Sequence, residues 1–197
     1  MPIYRFEGIT PVVDPGSFVH PDAVLIGDVV IERGCFIAPG AALRGDLARI
    51  TIGAGSNVQD NCVIHSFPGG DVVLEADTHI GHSAVLHGCR VCRGAMVGIG
   101  AVVMDRAVIG EEAFVAAMAF VKAQMQVPAR TLAMGSPARI TRELRAEEIA
   151  WKAEGTRHYQ HLVGRYTATL SRAEPLSGLE PGRPRMPDVG PAARPPR

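Results

Sequence analysis

The sequence predicts a mainly β fold: a left-handed parallel β-helix of hexapeptide repeats, followed by C-terminal α-helices. Three observations carry this reading. An aliphatic residue recurs every sixth position, a small residue recurs four places after it, and glycines fall where corners are needed. Neither a 3.6-residue helical period nor plain alternation along a strand produces that pattern.

In the first half the aliphatic series is Val19, Leu25, Ile31, Ile37 and Leu43, with companions Ala23, Val29, Cys35 and Ala41. Two shorter runs follow: Ile52, Val58, Ile64, then Leu74, Ile80, Leu86. In the second half Val91, Val97, Val103, Ile109, Val115 and Val121 are all β-branched, and the residues four places after the first five are all alanine. Each hexad is one short strand and one corner, and three hexads close a triangular coil. The aliphatic residue fills the interior, and the small one lets the chain turn above its neighbour. Gly27, Gly34, Gly40, Gly53, Gly55, Gly98 and Gly110 suit the corners. The solenoid is expected over residues 1–124.

Residues 125–172 read as a connector containing Pro128, Gly135 and Pro137, then two helices packed on the solenoid. The first covers 141–154 and ends at Gly155. The second is capped by Thr156 and runs to about Ser171, with Tyr159, Leu162, Val163 and Tyr166 on one face. From Pro175 onward there are seven prolines in 23 residues, so 173–197 reads as an extended or disordered tail.

Composition excludes several functions. Lys and Arg total 20, as do Asp and Glu, so there is no basic field for nucleic acid. No run reaches the ~20 apolar residues of a membrane span, and the start lacks a signal-peptide core. Cys35 and Cys62 fall on the small interior position and read as core. Cys89 and Cys92 form a lone CxxC, weak evidence for zinc and read as structural. A reducing, cytoplasmic setting is expected.

Chemistry points to the histidines. Leu43, Ile64 and Leu86 lie on one side of the prism, so the residues after them, Arg44, His65 and His87, form an outward column at ~4.8 Å spacing. Two imidazoles that close can share a metal ion. His82 belongs to the preceding side and diverges from them, so it completes their site only from a neighbouring solenoid. That predicts a metal at a subunit interface and a closed ring of subunits, for which a trimer suits the triangular section. His79, just before an interior isoleucine, is the weaker substitute for His82.

These residues resemble the γ-class carbonic anhydrase-like hexapeptide-repeat family. The resemblance rests on Arg44-Gly-Asp46, Asn57-Val-Gln-Asp60-Asn, Ile64-His65 and Ile80-Gly-His82 through His87-Gly-Cys. It implies zinc, or ferrous iron, held by His65 and His87 of one subunit and His82 of the next. It also implies an Arg44–Asp46 salt bridge across the trimer interface. Gln59 would orient the metal-bound water, with Asn57 and Asp60 supporting it, and Tyr159 resembles a tyrosine that reaches the site.

The sequence departs from the prototype anhydrase at Leu47, which replaces a glutamate, and in the loop Ser66-Phe-Pro-Gly-Gly70, which lacks the acidic insertion. Both departures weaken proton export. The resemblance therefore favours a metal-dependent acyl-CoA thioesterase of the phenylacetate-degrading branch. The alternatives are a carbonic anhydrase, a hexapeptide acyltransferase, and a non-catalytic assembly protein whose metal only holds the trimer.

Overall fold

The computed structural model describes residues 2–186. It is a left-handed parallel β-solenoid of about 7 turns carrying one C-terminal helix. Three stacks of short parallel strands form its faces. The first face includes Val63–His65, Val85–His87, Val102–Val103 and Phe120–Val121. The second includes Val72–Leu74, Arg90–Val91, Val108–Ile109 and Gln126–Val127. The long strands Val24–Ile31 and Ala42–Ile52 turn a corner and serve both. The third face runs from Phe18–Val19 through Phe36–Ile37, Asn57–Val58, His79–Ile80, Met96–Val97 and Phe114–Val115 to Thr131–Gly135.

The hexad rule holds in the core. Leu25, Leu43, Ile64, Leu86, Val103 and Val121 are consecutive register partners, all essentially inaccessible to solvent. Ala95, Ala101, Ala107, Ala113 and Ala119 are buried beside them, as are Cys35 and Cys62. Burying each aliphatic side chain contributes roughly 1.5–3 kcal/mol, which is what a chain poor in aromatic rings has to work with. Cys89 is buried and Cys92 half-buried; all four cysteines are free thiols.

Corners recur in step with the strands. A left-handed backbone conformation appears at Gly94, Gly100, Arg106, Glu112, Met118, Gln124 and Arg130, once every six residues. Most of these are not glycine, so the stacked strands on either side carry the conformational cost. Other glycines answer a different need. At Gly98, φ is ordinary, but an added Cβ would sit 2.5 Å from the backbone nitrogen of Ala117 in the next coil.

The chain beyond residue 124 corrects the expected boundaries. Coiling continues through Gln126–Val127 and Thr131–Gly135, because Val127 and Ala133 still fill interior positions. Thr131–Gly135 then pairs antiparallel with Ala138–Glu143, where a helix was expected to begin. A single helix, Ala146–Thr169, replaces the expected two. Gly155 and Thr156 lie inside it, and the Thr156 hydroxyl donates back to the Lys152 carbonyl at 3.3 Å instead of capping. At the helix start Glu148 accepts the Arg145 backbone N–H at 3.0 Å and both nitrogens of the Arg142 guanidinium at 2.8 Å. Those bonds hold its carboxyl down at about 2 against the opposing effect of burial.

Docking of the third face explains why the helix does not break. Lys152, Thr156 and Gln160 follow one another at i+4 spacing along the buried side. Lys152 Nζ donates to the Asp77 carbonyl at 2.5 Å, and Gln160 Nε2 to Gly55 O and Asp77 Oδ1 at 3.0 Å. Tyr159 packs on Phe36, and Tyr166 packs between Phe18 and Phe36. Residues 173–186 are exposed and carry no helix or strand; 187–197, the rest of the stretch read as a tail, lie outside the described residues. No described helix is long and apolar enough to cross a membrane.

Two outcomes follow. Gly98→Ala should cost about 1–3 kcal/mol in urea unfolding, since its methyl meets a neighbouring coil's backbone. Gly34→Ala, in a left-handed corner with no atom nearer than 3.8 Å, should cost less, about 1 kcal/mol; the opposite ranking would contradict the close-approach account. Burial lowers Lys152 to about 8 from 10.5. The unfolded chain then holds more protons between those values, so stability should rise with pH from about 8 toward 10.5. Lys152→Met should remove that contribution to the slope, measured as chemical denaturation at a series of pH values.

Candidate active site

The predicted column exists. Arg44, His65 and His87 are direct register partners on neighbouring strands of the first face. His65 Nδ1 and His87 Nε2 face each other at 3.2 Å, with ring centroids 5.2 Å apart. The far nitrogen of each ring is held by a carboxylate: His65 Nε2 lies 3.0 Å from Asp46 Oδ1, and His87 Nδ1 hydrogen-bonds Asp105 Oδ1. Each ring is thus oriented with its free nitrogen toward the other.

That arrangement fits a metal ion. Two ligands of one tetrahedral zinc, each ~2.0–2.1 Å from it, are separated by ~3.3 Å, close to what the pair presents. Carboxylates on the outer nitrogens are the usual support for metal-binding imidazoles. Without a cation or shared proton, two lone pairs would oppose each other. No cluster of three or more potential ligands exists within one chain among the described residues. A metal held by this pair would need its third protein ligand from outside the chain.

Arg44 and Asp46 pair with each other inside the chain, the Arg44 guanidinium nitrogen 2.6 Å from Asp46 Oδ2. The pair forms within one chain; a bridge from either residue to a neighbouring subunit remains part of the trimer proposed below. Two residues apart on one strand, both side chains emerge on the same side, and Asp46 also reaches His65. Burial opposes ionisation of Asp46, but the Arg44 and His65 hydrogen bonds prevail and lower its pKa.

His82 stands apart from the pair, beyond the corner, with Nδ1 2.8 Å from Asp60 Oδ2 and nearly half its side chain exposed. It lines a cavity of about 850 Å³ together with Gln59, His79 and Tyr159. Met96, Phe114 and Leu132 contribute apolar walls, and Arg142, Arg145 and Trp151 also line it. Gln59 is buried; its Nε2 donates to Asn57 Oδ1 at 2.9 Å and lies 2.7 Å from His79 Nε2. Tyr159 both packs and lines the cavity, its ring edge-on to His79 at 5.4 Å, and burial followed by the Asp60 charge raises its hydroxyl to about 12. It is therefore a neutral hydroxyl there at ordinary pH.

Two participants escaped the sequence reading, and a third entered it only as a substitute metal ligand. Asp105, 18 residues after His87, is one coil further along, and that spacing was the available signal. Phe67, on the inserted loop, lies parallel to the His87 ring at 6.0 Å, with the Arg106 guanidinium 5.4 Å from its centroid. Gly70 and Gly88 make room for it, since a Cβ at either would fall 2.2 Å from the ring. The third is His79. It is half-buried, and desolvation, then the Lys152 and His82 charges, lower it to about 3, so the ring is neutral.

No family model matches the sequence. The chain is 51% identical over 186 residues to the carnitine operon protein CaiE of Salmonella newport, covering 94% of each chain. A hexapeptide transferase family protein from Anaplasma phagocytophilum superposes with a TM-score of 0.81 at 37% identity, covering 84% of this chain and 98% of that one. A Bacillus cereus structure assigned as an acetyltransferase gives 0.83 at 32% identity, covering 84% and 96%. The chain belongs to the hexapeptide-repeat transferase family that includes CaiE.

Proposed function

We propose that the protein hydrolyses acyl-CoA thioesters with the help of a divalent metal ion. The observation that carries this is the His65–His87 pair, with nitrogens 3.2 Å apart and each ring fixed by its own carboxylate. The likeness to transferase-family neighbours supports an acyl thioester as the substrate class. The opening Pro2-Ile-Tyr-Arg-Phe-Glu-Gly-Ile-Thr-Pro-Val-Val13, the segment Gly135-Ser-Pro-Ala138, the stretch Ala150-Trp-Lys152 and Glu174-Pro-Leu176 with Glu180-Pro-Gly-Arg183 support the finer likeness to PaaY, the phenylacetic acid degradation protein.

On this reading His65 and His87 supply two ligands and the partner subunit's His82 a third, in a homotrimer. Zinc or ferrous iron bound there would supply a Lewis acid and a water acidic enough to ionise near neutral pH. The chain's own residues do the rest. Asp46 and Asp105 keep both rings in the ligating tautomer. Gln59 orients water or the acyl carbonyl, and Phe67 shields one side of His87 from solvent. Water adds to the carbonyl carbon, the C–S bond breaks, and coenzyme A leaves as its thiol while a carboxylic acid forms.

Two other readings have specific support. The family description favours acyl transfer to an acceptor other than water. The carbonic anhydrase reading retains the histidines, but Leu47 is half exposed where a proton-shuttling carboxylate would be needed.

Metal-loaded protein should release free thiol from aromatic and aliphatic acyl-CoA thioesters, and chelated protein should not. If thiol appears only when an acyl acceptor is added, transfer replaces hydrolysis. Verified metal-loaded protein that gives no thiol under either condition overturns the acyl-thioester reading. Asp105→Asn should weaken zinc binding by about 10–100-fold in a competition titration while leaving the fold unchanged. Unaltered affinity would remove His87 from the ligand set.

A further inference from the structure

The outward column of the third face reads Phe18, Phe36, Asn57, His79, Met96, Phe114 and Leu132, each in register with the next. The helix and hairpin cover much of it. It is apolar at both ends and polar only at Asn57 and His79, the two residues that touch Gln59. Burying polar groups in such a ladder costs stability unless they are bonded, so their use is worth tracing.

His79 faces an amide nitrogen on each side: Gln59 Nε2 at 2.7 Å from its Nε2 and Asn57 Nδ2 at 3.3 Å from its Nδ1. A neutral imidazole has one lone pair and one N–H, so it accepts only one of them. The shorter contact makes Nε2 the acceptor. The Nδ1 proton then points toward Thr156 Oγ1 at 3.5 Å, whose own proton goes to the Lys152 carbonyl. Donors and acceptors alternate from Gln59 through His79 into the helix.

We propose that His79 is a positioning residue for Gln59, fixing its amide so that Oε1 is the acceptor offered to the cavity. Both Gln59 amide protons are used, one by Asn57 Oδ1 and one by His79 Nε2. Turning the amide over would set Oε1 against two acceptors. The opposite ring tautomer would favour the turned amide and offer a donor instead. The helix thus sets the polarity of the site through Thr156. This rests on Gln59 acting as the hydrolysis reading describes.

Nitrogen-15 NMR of selectively labelled protein reads the tautomer directly and needs no substrate. The expected result is His79 protonated at Nδ1 at neutral pH; protonation at Nε2 overturns the proposal whatever the enzyme turns over. His79→Phe should then lower kcat for thiol release about tenfold or more with little change in KM, as expected when an oriented dipole is lost. His79→Gln, whose amide oxygen can accept from Gln59, should recover part of it. Thermal unfolding and zinc content of both variants identify a variant lost to misfolding. If both fold and bind metal yet keep the wild-type kcat, the positioning role is refuted. A wild-type protein that releases no thiol but shows the Nδ1 tautomer would instead count against the hydrolysis reading alone.

Discussion

Everything in this molecule depends on the register with which one coil lies on the next. Interior side chains of successive coils touch, and the hydrogen-bond ladder between strands locks them in line. Leu43 lies under Ile64, and Ile64 under Leu86. A slip of one residue would turn the buried stack outward, so the register is strongly specified. The same constraint delivers Arg44, His65 and His87 to one line on the outside, because each follows an interior residue of that stack. The core and the site are therefore one decision made twice, once per side of the strand.

The chemistry sits where the repeat is interrupted. Phe18 pairs with Phe36, and Met96 with Phe114, at 18-residue intervals, but Phe36 pairs with Asn57 and Asn57 with His79 across longer ones. The added residues lie in the segments containing Leu47 and Phe67, at corners beside the histidine pair. An ideal solenoid presents a periodic, featureless surface. Insertions let Asp46 turn back to His65 and let Phe67 fold over His87 without disturbing the interior. Gly70 and Gly88 clear the space Phe67 needs, and Gly45 lets the Asp28 backbone of the preceding coil approach closely.

How much of this could be read in advance follows from the range of the interactions. The hexad pattern is local, and strand alternation then placed Arg44, His65 and His87 correctly and separated His82 from them. Helix boundaries were misread because Gly155 and Thr156 are local stop and start signals. Here Lys152, Thr156 and Gln160 dock on a surface built about eighty residues earlier, and that contact outweighs a glycine penalty of ~1 kcal/mol. Asp105 was missed for a related reason: its carboxylate reaches His87 across a corner whose conformation no single hexad encodes. His79 was read only as a weaker substitute metal ligand. The contacts that set its proposed positioning role include Thr156 of the covering helix, which only the tertiary structure supplies.

The histidine–carboxylate pairs are not explained by stability. His65, His82 and His87 each carry a carboxylate partner, drawn from Asp46, Asp60 and Asp105. These pairs lie at or near the surface, where ion pairs contribute little to folding and holding the side chains in one geometry costs entropy. What three such pairs do accomplish is to fix ring orientation and tautomer before any ligand arrives. The rigid solenoid makes this precise for His65 and His87, and the bonded corner at Asp60 does the same for His82. Division of the three rings between two faces, with only two of them meeting in one chain, is the arrangement that the proposed site, completed by a neighbouring subunit, would require.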